Sequence, residues 1–348
     1  MDRLAERRLR DAQALGGPPE VQLVGDDEEL PQVPGQVHSP EDMRTDIGRA
    51  RAVTSGAVPA ERITKIFDAV GVDAQLHAVD VDRGGEIAVG ADDPVVLASI
   101  FKILLVLEFA RQAAAGQLDP TERVLVRAAD RLGGWGTAGL ADDAEVSLRD
   151  LAYFAMSVTD NTAADLLLRR VGPDVLPLLA AELGLTRTRV TGGPRELLES
   201  MYADVGATSD AEFVTIFPTL PAERVRAMRV FDPARTTSST PREVTRLLEL
   251  VWRDEAGPPA ATAMVRALMS RQIFWTRIAS GFPPGVTVSA KTGTLPGLHM
   301  EAGVVEYPDG GRYALAVFAR TRSLEFRRID VDLAIGEAAR TAVEALRA

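Results

Sequence analysis

The chain has 348 residues, 46% of them hydrophobic, with no cysteine, three histidines and a formal net charge of −11. That is enough apolar sequence for a large core in one or two domains. Disulfides, thiolate nucleophiles and Cys-ligated metals are excluded, the scattered His38, His77 and His299 make a histidine metal site improbable, and no basic patch favours nucleic acid. Residues 1 to about 60 contain no aromatic residue and are rich in Pro, Gly and acidic residues, as in "GGPPEVQLVGDDEELPQVPGQ". They read as a poorly ordered or loosely docked extension, with a short amphipathic helix over 2–14. The first residues lack an apolar stretch of the signal-peptide kind, and no run reaches the roughly 18 apolar residues of a membrane span. A cytoplasmic protein with a small-molecule substrate and no membrane or nucleic-acid partner is expected. The sequence leaves its oligomeric state open.

From residue 61 the pattern becomes regular. "AQLHAVDVDRGGEIAVG" (74–90) predicts a hairpin turning at Asp82–Gly85, and "EAGVVEYPDGGRYALAVFAR" (301–320) a second one turning at Pro308–Gly311. "VTVSA" (286–290) adds a strand. Helices are predicted at about 99–115, 147–156, 161–171, 174–183, 241–253, 259–271 and 329–346, with Asp160 or Asn161 and Ser239 or Thr240 at helix starts. Strands at both ends and helices between them predict an α/β fold. One antiparallel sheet is built from both chain ends (about 61–97 and 272–348) and flanked by helices, with an all-helical lobe inserted (about 98–271). Residues 61–348 then form the working domain, with its site in the cleft between the two parts.

The glycines of "GGWGTAG" (133–139) have dinucleotide-loop spacing, but no strand precedes and no helix follows. A mobile loop lining a cleft fits better. More informative is residue usage: of 39 basic residues only Lys65, Lys102 and Lys291 are lysines, and Asn161 is the sole asparagine. Lysine can lose its proton near neutral pH where arginine cannot. Lys102 lies in the apolar helix "ASIFKILLVLEFARQ", three residues after Ser99, so both project from one face. A neutral, desolvated amine there can take the serine proton, and helix N-terminal N–H groups can hold an oxyanion. Asn161 stands in "SVTDNTAADLLL" and Lys291 in "VSAKTGTLPG".

Ser99-x-x-Lys102, Thr159-Asp160-Asn161 and Lys291-Thr292-Gly293, in that order, resemble the three motifs of penicillin-recognising serine enzymes, closest in spacing to class A β-lactamases. "TTSSTPREVTRLLELV" (236–251) is similar to that family's Thr-rich helix start. The resemblance covers about residues 60–348. It implies that Ser99 is acylated, Lys102 is the activating base, and Thr159, in the usual place of a serine, relays a proton to the leaving group. It further implies that Asn161 contacts the acyl-side amide, that Lys291 and Thr292 beside it bind a substrate carboxylate, and that the N–H groups of Ser99 and Thr294 form the oxyanion hole. No cofactor or metal is implied.

The chain departs from the family after "LGLTRTRV" (183–190). There the E-x-x-L-N loop, whose glutamate activates the deacylating water, is replaced by a much longer segment, 191–234. Glu196 and Glu199 are candidates for that work; otherwise they are solvated charges on a short helix. A serine hydrolase working through a Ser99 acyl-enzyme on a small ester, amide or β-lactam-like substrate is expected. The alternatives are an acyl transferase, a slow acyl-trapping β-lactam sensor, or a structural protein that tolerates arginine at 102 and 291.

Overall fold

The computed structural model of the protein describes residues 59–348. The expected extension therefore lies outside the described residues, as does the helix over 2–14. The exceptions are Pro59 and Ala60, which open helix α1 (Pro59–Ala69), an element the sequence reading did not separate from the extension. Only Ile63 and Phe67 of α1 are buried, a two-residue stripe too short to give a clear period.

Both predicted hairpins form. The first pairs β1 (Val72–Asp80) with β2 (Glu86–Val89), in register Leu76 to Val89. Its turn is closed by the Asp80 carboxylate, which accepts from the N–H groups of Asp82 and Arg83 at 2.9 and 2.8 Å. Near the other end, β7 (Thr287–Leu295), β8 (Leu298–Glu306) and β9 (Arg312–Thr321) form a meander, and β9 pairs with β1 along its whole length. The result is one antiparallel five-stranded sheet in the order β2-β1-β9-β8-β7, drawn from both ends of the chain.

The middle strands are buried on both faces. On one side α1 and the last helix, α11 (Ile329–Arg347), cover them through Phe67, Leu76, Leu315, Ile335 and Val343. On the other side lies the helical lobe, centred on α2 (Lys102–Ala114), whose first nine residues are all buried. Around α2 pack α3 (Leu148–Ser157), α4 (Asn161–Val171), α5 (Val175–Glu182) and α10 (Pro259–Met269). The predicted α9 (Pro241–Trp252) starts at Thr240, whose side chain accepts from the Glu243 N–H. Short strands β3 (Val95–Val96) and β6 (Ser238–Ser239) pair beside it, and β4 (Arg123–Val126) pairs with β5 (Ala144–Ser147).

The segment 191–234 holds more helix than the one short helix expected around Glu196 and Glu199. It holds α6 (Pro194–Val205), α7 (Asp210–Ile216) and α8 (Ala222–Arg226). Pro194 at the first helical position and Glu196, which accepts from the Gly193 N–H at 2.8 Å, start α6. The rings of Tyr202, Phe213 and Phe217 then pack in sequence, 5.0 Å apart at each step, and join the segment to the core of the helical lobe. Among the described residues no helix is long and apolar enough to cross a membrane.

Candidate active site

β3 leads directly into a 3-10 turn, Ala98–Phe101, that runs on into α2. On such a turn residues three apart eclipse one another, so Ser99 and Lys102 stack on one side. Ala98, just before the serine, has φ +41°, and Thr159 has φ +58°. Left-handed backbone at a β-branched threonine costs of order 1–3 kcal/mol and persists only where surroundings enforce it. Here the enforcing contact is Lys102. Its Nζ donates to the Thr159 carbonyl at 2.7 Å, to Asn161 Oδ1 at 2.9 Å and to the Asp160 carbonyl at 3.3 Å, with Thr159 Oγ1 at 3.4 Å. The amine has no solvent exposure, and burial brings its pKa down to about 7, against an upward pull from Asp160.

Asp160, the middle residue of the second motif and a possible helix cap in the sequence, does more. One carboxylate oxygen caps α4 by accepting from the Ala163 N–H at 3.0 Å. The other accepts from the Thr137 N–H at 2.6 Å and so ties the glycine loop to the site. A Cβ at Gly136 would stand 2.3 Å from that oxygen, and the residue's φ is +83°, so only glycine fits. Asp160→Asn keeps an oxygen for the cap but removes the charge that favours the ammonium form of Lys102. The titration midpoint of the Lys102 amine is expected to move below about 7, read by NMR of the lysine side chain against pH; an unmoved midpoint would disconnect Asp160 from the amine.

β7 supplies the opposite wall and is the sheet's free edge on this side. Its outward N–H at Thr292 is taken by Gln272 Oε1 at 2.6 Å. Since outward N–H groups recur every second residue, Thr294 directs its own to the same open edge. The strand comes close to the serine turn because position 293 is glycine. A Cβ there would lie 2.7 Å from Met300 Cγ and 3.1 Å from the Leu97 carbonyl. Gly293→Ala is expected to lower stability by about 1–3 kcal/mol and to loosen the Ser99 turn. Thermal unfolding measures the first effect, and an unchanged melting temperature would show that β7 can retreat freely.

Lys291 is fully buried as well, and its Nζ donates to the Thr292 carbonyl at 2.8 Å. Burial, with a smaller push from the charge of Lys102, holds its pKa well below the usual lysine value. Ser99, Asn161 and Thr294 line the cleft; Lys102, Lys291 and Thr292 are buried and Thr159 is half-buried.

Several residues had no local signal in the sequence. Arg277, 6% exposed, reaches under β7 and donates to the carbonyls of Gly293 at 2.9 Å and Met300 at 2.8 Å, and to Thr294 Oγ1 at 3.0 Å. Asp332 of α11 holds it at 2.8 Å and also meets His299 Nδ1 at 3.0 Å. Glu301 accepts from Gln272 Nε2 and the Ile278 N–H, and its carboxyl is pushed up to about 7 by burial. This polar layer fixes the β7 edge from behind.

The cleft in front has a volume of about 420 Å³. Besides Ser99, Asn161 and Thr294 it is lined by Gly133 and Gly134 of the glycine loop, Arg235–Thr237 and much of α6 and α7. Both candidate glutamates are exposed; Glu196 is among the residues lining the cleft and Glu199 is not.

A profile of the beta-lactamase enzyme family matches residues 58–346. Among characterised proteins, the chain is 30% identical to the beta-lactamase regulatory protein BlaB of Streptomyces cacaoi over 269 residues, 72% of this chain and 86% of that protein. Among solved structures, a beta-lactamase from Sphaerobacter thermophilus superposes with a TM-score of 0.65 at 23% identity, over 82% of this chain and 95% of that one. A class A beta-lactamase from Mycobacterium abscessus superposes with a TM-score of 0.68 at 17% identity, over 84% of this chain and all of that one. The fold expected from the three motifs is thus the observed one.

Proposed function

The chain belongs to the beta-lactamase enzyme family, and from that premise we propose that it is a serine hydrolase that forms an acyl-enzyme on Ser99 with β-lactams or small esters and amides of similar shape. The observation that carries this reading is the Lys102 amine: buried, held by Asn161 Oδ1 and the Thr159 carbonyl, with its pKa near 7 and one turn below the serine. Above that pH it is a neutral base. In acylation the Ser99 Oγ–H proton passes to Lys102 as Oγ bonds to the substrate carbonyl carbon. The developing oxyanion is held by the N–H groups of Ser99 and Thr294. When the carbonyl–leaving-group bond breaks, the proton returns from Lys102 to the leaving group through the Thr159 hydroxyl. Asn161, its oxygen occupied by Lys102, presents its NH₂ to a substrate carbonyl.

Lys291 acts in this scheme through its field and through the geometry of β7. A substrate carboxylate nearby favours its charged form, while Thr292 supports the same edge. Deacylation uses a water held by Glu196. One oxygen of that carboxylate is engaged in the α6 cap, which leaves the other for the water.

A second reading, an acyl-trapping sensor, is favoured by one observation: the relative from Streptomyces cacaoi is named a regulatory protein. An acyl transferase would differ only in the acceptor. The test is intact mass after incubation with a penicillin, a cephalosporin and a small activated ester. A single adduct on the peptide carrying Ser99 is expected. No adduct and no turnover with any of the three, or labelling elsewhere, overturns the proposal. An adduct lasting hours selects the sensor; one lasting seconds to minutes selects the enzyme.

A further inference from the structure

The chain carries a net charge of −11, yet it crowds arginines at one place. Two stretches far apart in sequence, 223–235 and 320–327, are brought together there: Arg226 donates to the Arg322 carbonyl, and Arg320 to the Phe231 carbonyl at 3.4 Å. Arg224, Arg226 and Arg235 of the first stretch and Arg320, Arg322 and Arg327 of the second are all exposed. None of the six has a carboxylate partner among the described residues; Arg229, paired with Asp204 at 2.7 Å, is the exception on this face. The carboxylates of the same stretches are Glu223, Asp232 and Glu325, half as many, and Asp232 is turned to the Ala234 N–H at 2.9 Å.

This arginine collar stands at the rim of the cleft, which Arg235 and Phe326, the neighbour of Arg327, help to line. Like charges held together without partners repel one another, and their summed field attracts an anion. The chain itself holds a matching one. From residue 12 to residue 43 it has no lysine or arginine and seven carboxylates, four of them consecutive at Asp26, Asp27, Glu28 and Glu29. A block of like charge of this kind is a common interaction segment.

We propose that the arginine collar is the docking surface for the chain's own acidic run, Asp26–Glu29, and holds it at the rim of the cleft. The reach is sufficient. α1 begins at Pro59, and its far end lies beside the collar, since Arg328 donates to the Val70 carbonyl at 3.1 Å. A helix of 11 residues is about 16 Å long, while the chain from Glu29 to Pro59 can extend up to about 100 Å. Tethering also selects this occupant over an acidic partner in solution. Exposed ion pairs are individually weak, so several of them hold a free acidic peptide poorly. A tethered run is present at an effective concentration in the millimolar range, which makes the same few pairs enough. The contact needs no chemistry at Ser99 and is independent of the acyl-enzyme reading.

The chain lacks cysteine, so the full-length protein with Gly25→Cys and Ala234→Cys takes one spin label beside the acidic run and one beside Arg235. Double electron–electron resonance then reads the distance between them. At low salt a single narrow peak at short distance is expected, unchanged when labelled chain is diluted into an excess of unlabelled chain. The peak is expected to be lost at about 1 M salt, where the screening length falls to about 3 Å. It is expected to be lost equally when Asp26→Asn, Asp27→Asn, Glu28→Gln and Glu29→Gln are combined, or when Arg235→Gln and Arg322→Gln are. The acid variant alters no residue of the described domain, so its result does not depend on the stability of the fold, and thermal unfolding verifies the arginine variant. A broad distribution at low salt overturns the docking, and a peak that survives high salt or either variant overturns the assigned surface. A peak that disappears on dilution with unlabelled chain comes from a second copy and overturns the intramolecular contact.

Discussion

Lys102→Arg should slow acylation of Ser99 by about 10²–10⁴, the range a positioned general base contributes. Arginine keeps a positive charge, so only the ability to give up a proton is removed together with the fit. The fit itself is tight: Nζ meets the Thr159 and Asp160 carbonyls and Asn161 Oδ1 with no solvent exposure, and a planar guanidinium cannot take up that compact arrangement. The sign of the pH dependence follows from the same cage. Burial lowers the amine from 10.5 to about 7, so the base form prevails above pH 7. In the wild-type chain the acylation rate therefore levels off above that pH and falls roughly tenfold per unit below it. Adduct formation followed by mass against time gives both results. If the arginine variant acylates at the wild-type rate, Lys102 is not the base, and the structural-protein reading that predicts arginine tolerance regains its ground.

What could be read from the sequence was local in cause. The two hairpins announce themselves because alternating strands flank turn residues, Asp82–Gly85 and Pro308–Gly311, and pairing follows from chain proximity. Lys102 and Lys291 stood out because a chain that uses arginine nearly everywhere keeps lysine at so few places, and Asn161 because it is the sole asparagine; Ser99 was marked by its spacing from Lys102, and Thr159 by the resemblance to the three-motif family. What stayed hidden depends on contacts distant in sequence. Arg277 is one arginine among many until α11 brings Asp332 to it and β7 turns the Gly293 carbonyl toward it. Gln272 likewise carries no signal before folding sets it between Thr292 and Glu301. In segment 191–234 only a short helix around Glu196 and Glu199 is expected from the sequence, because glycines and prolines at 192–194, 206, 218, 221 and 233 interrupt it; the pieces gain order by packing aromatic rings on one another. Glu196 could be named as a candidate from sequence, but its place in the cleft follows from those helices.

Glu196→Gln is the substitution that separates how the acyl group arrives from how it leaves. The glutamine carbonyl oxygen can still accept from the Gly193 N–H, as Glu196 Oε2 does at 2.8 Å, so α6 keeps its first turn and the cleft its wall. Only the anionic oxygen available to a water is lost. Acyl adducts on Ser99 are then expected to decay about 10²–10³ more slowly than in the wild-type chain, while their formation, which uses Lys102, keeps its rate. The measurement is adduct mass against time after free ester is removed, with thermal unfolding to verify that the helix is intact. Equal lifetimes in the two proteins would mean that Glu196 does not serve deacylation. Because Glu196 and Asp210 are the acidic residues lining the cleft, and Asp210 is held by Tyr202, the chain would then lack a water-activating base on that wall. Retention of the acyl group would become the functional state, and the kinship with a regulatory protein would carry more weight than the kinship with hydrolases.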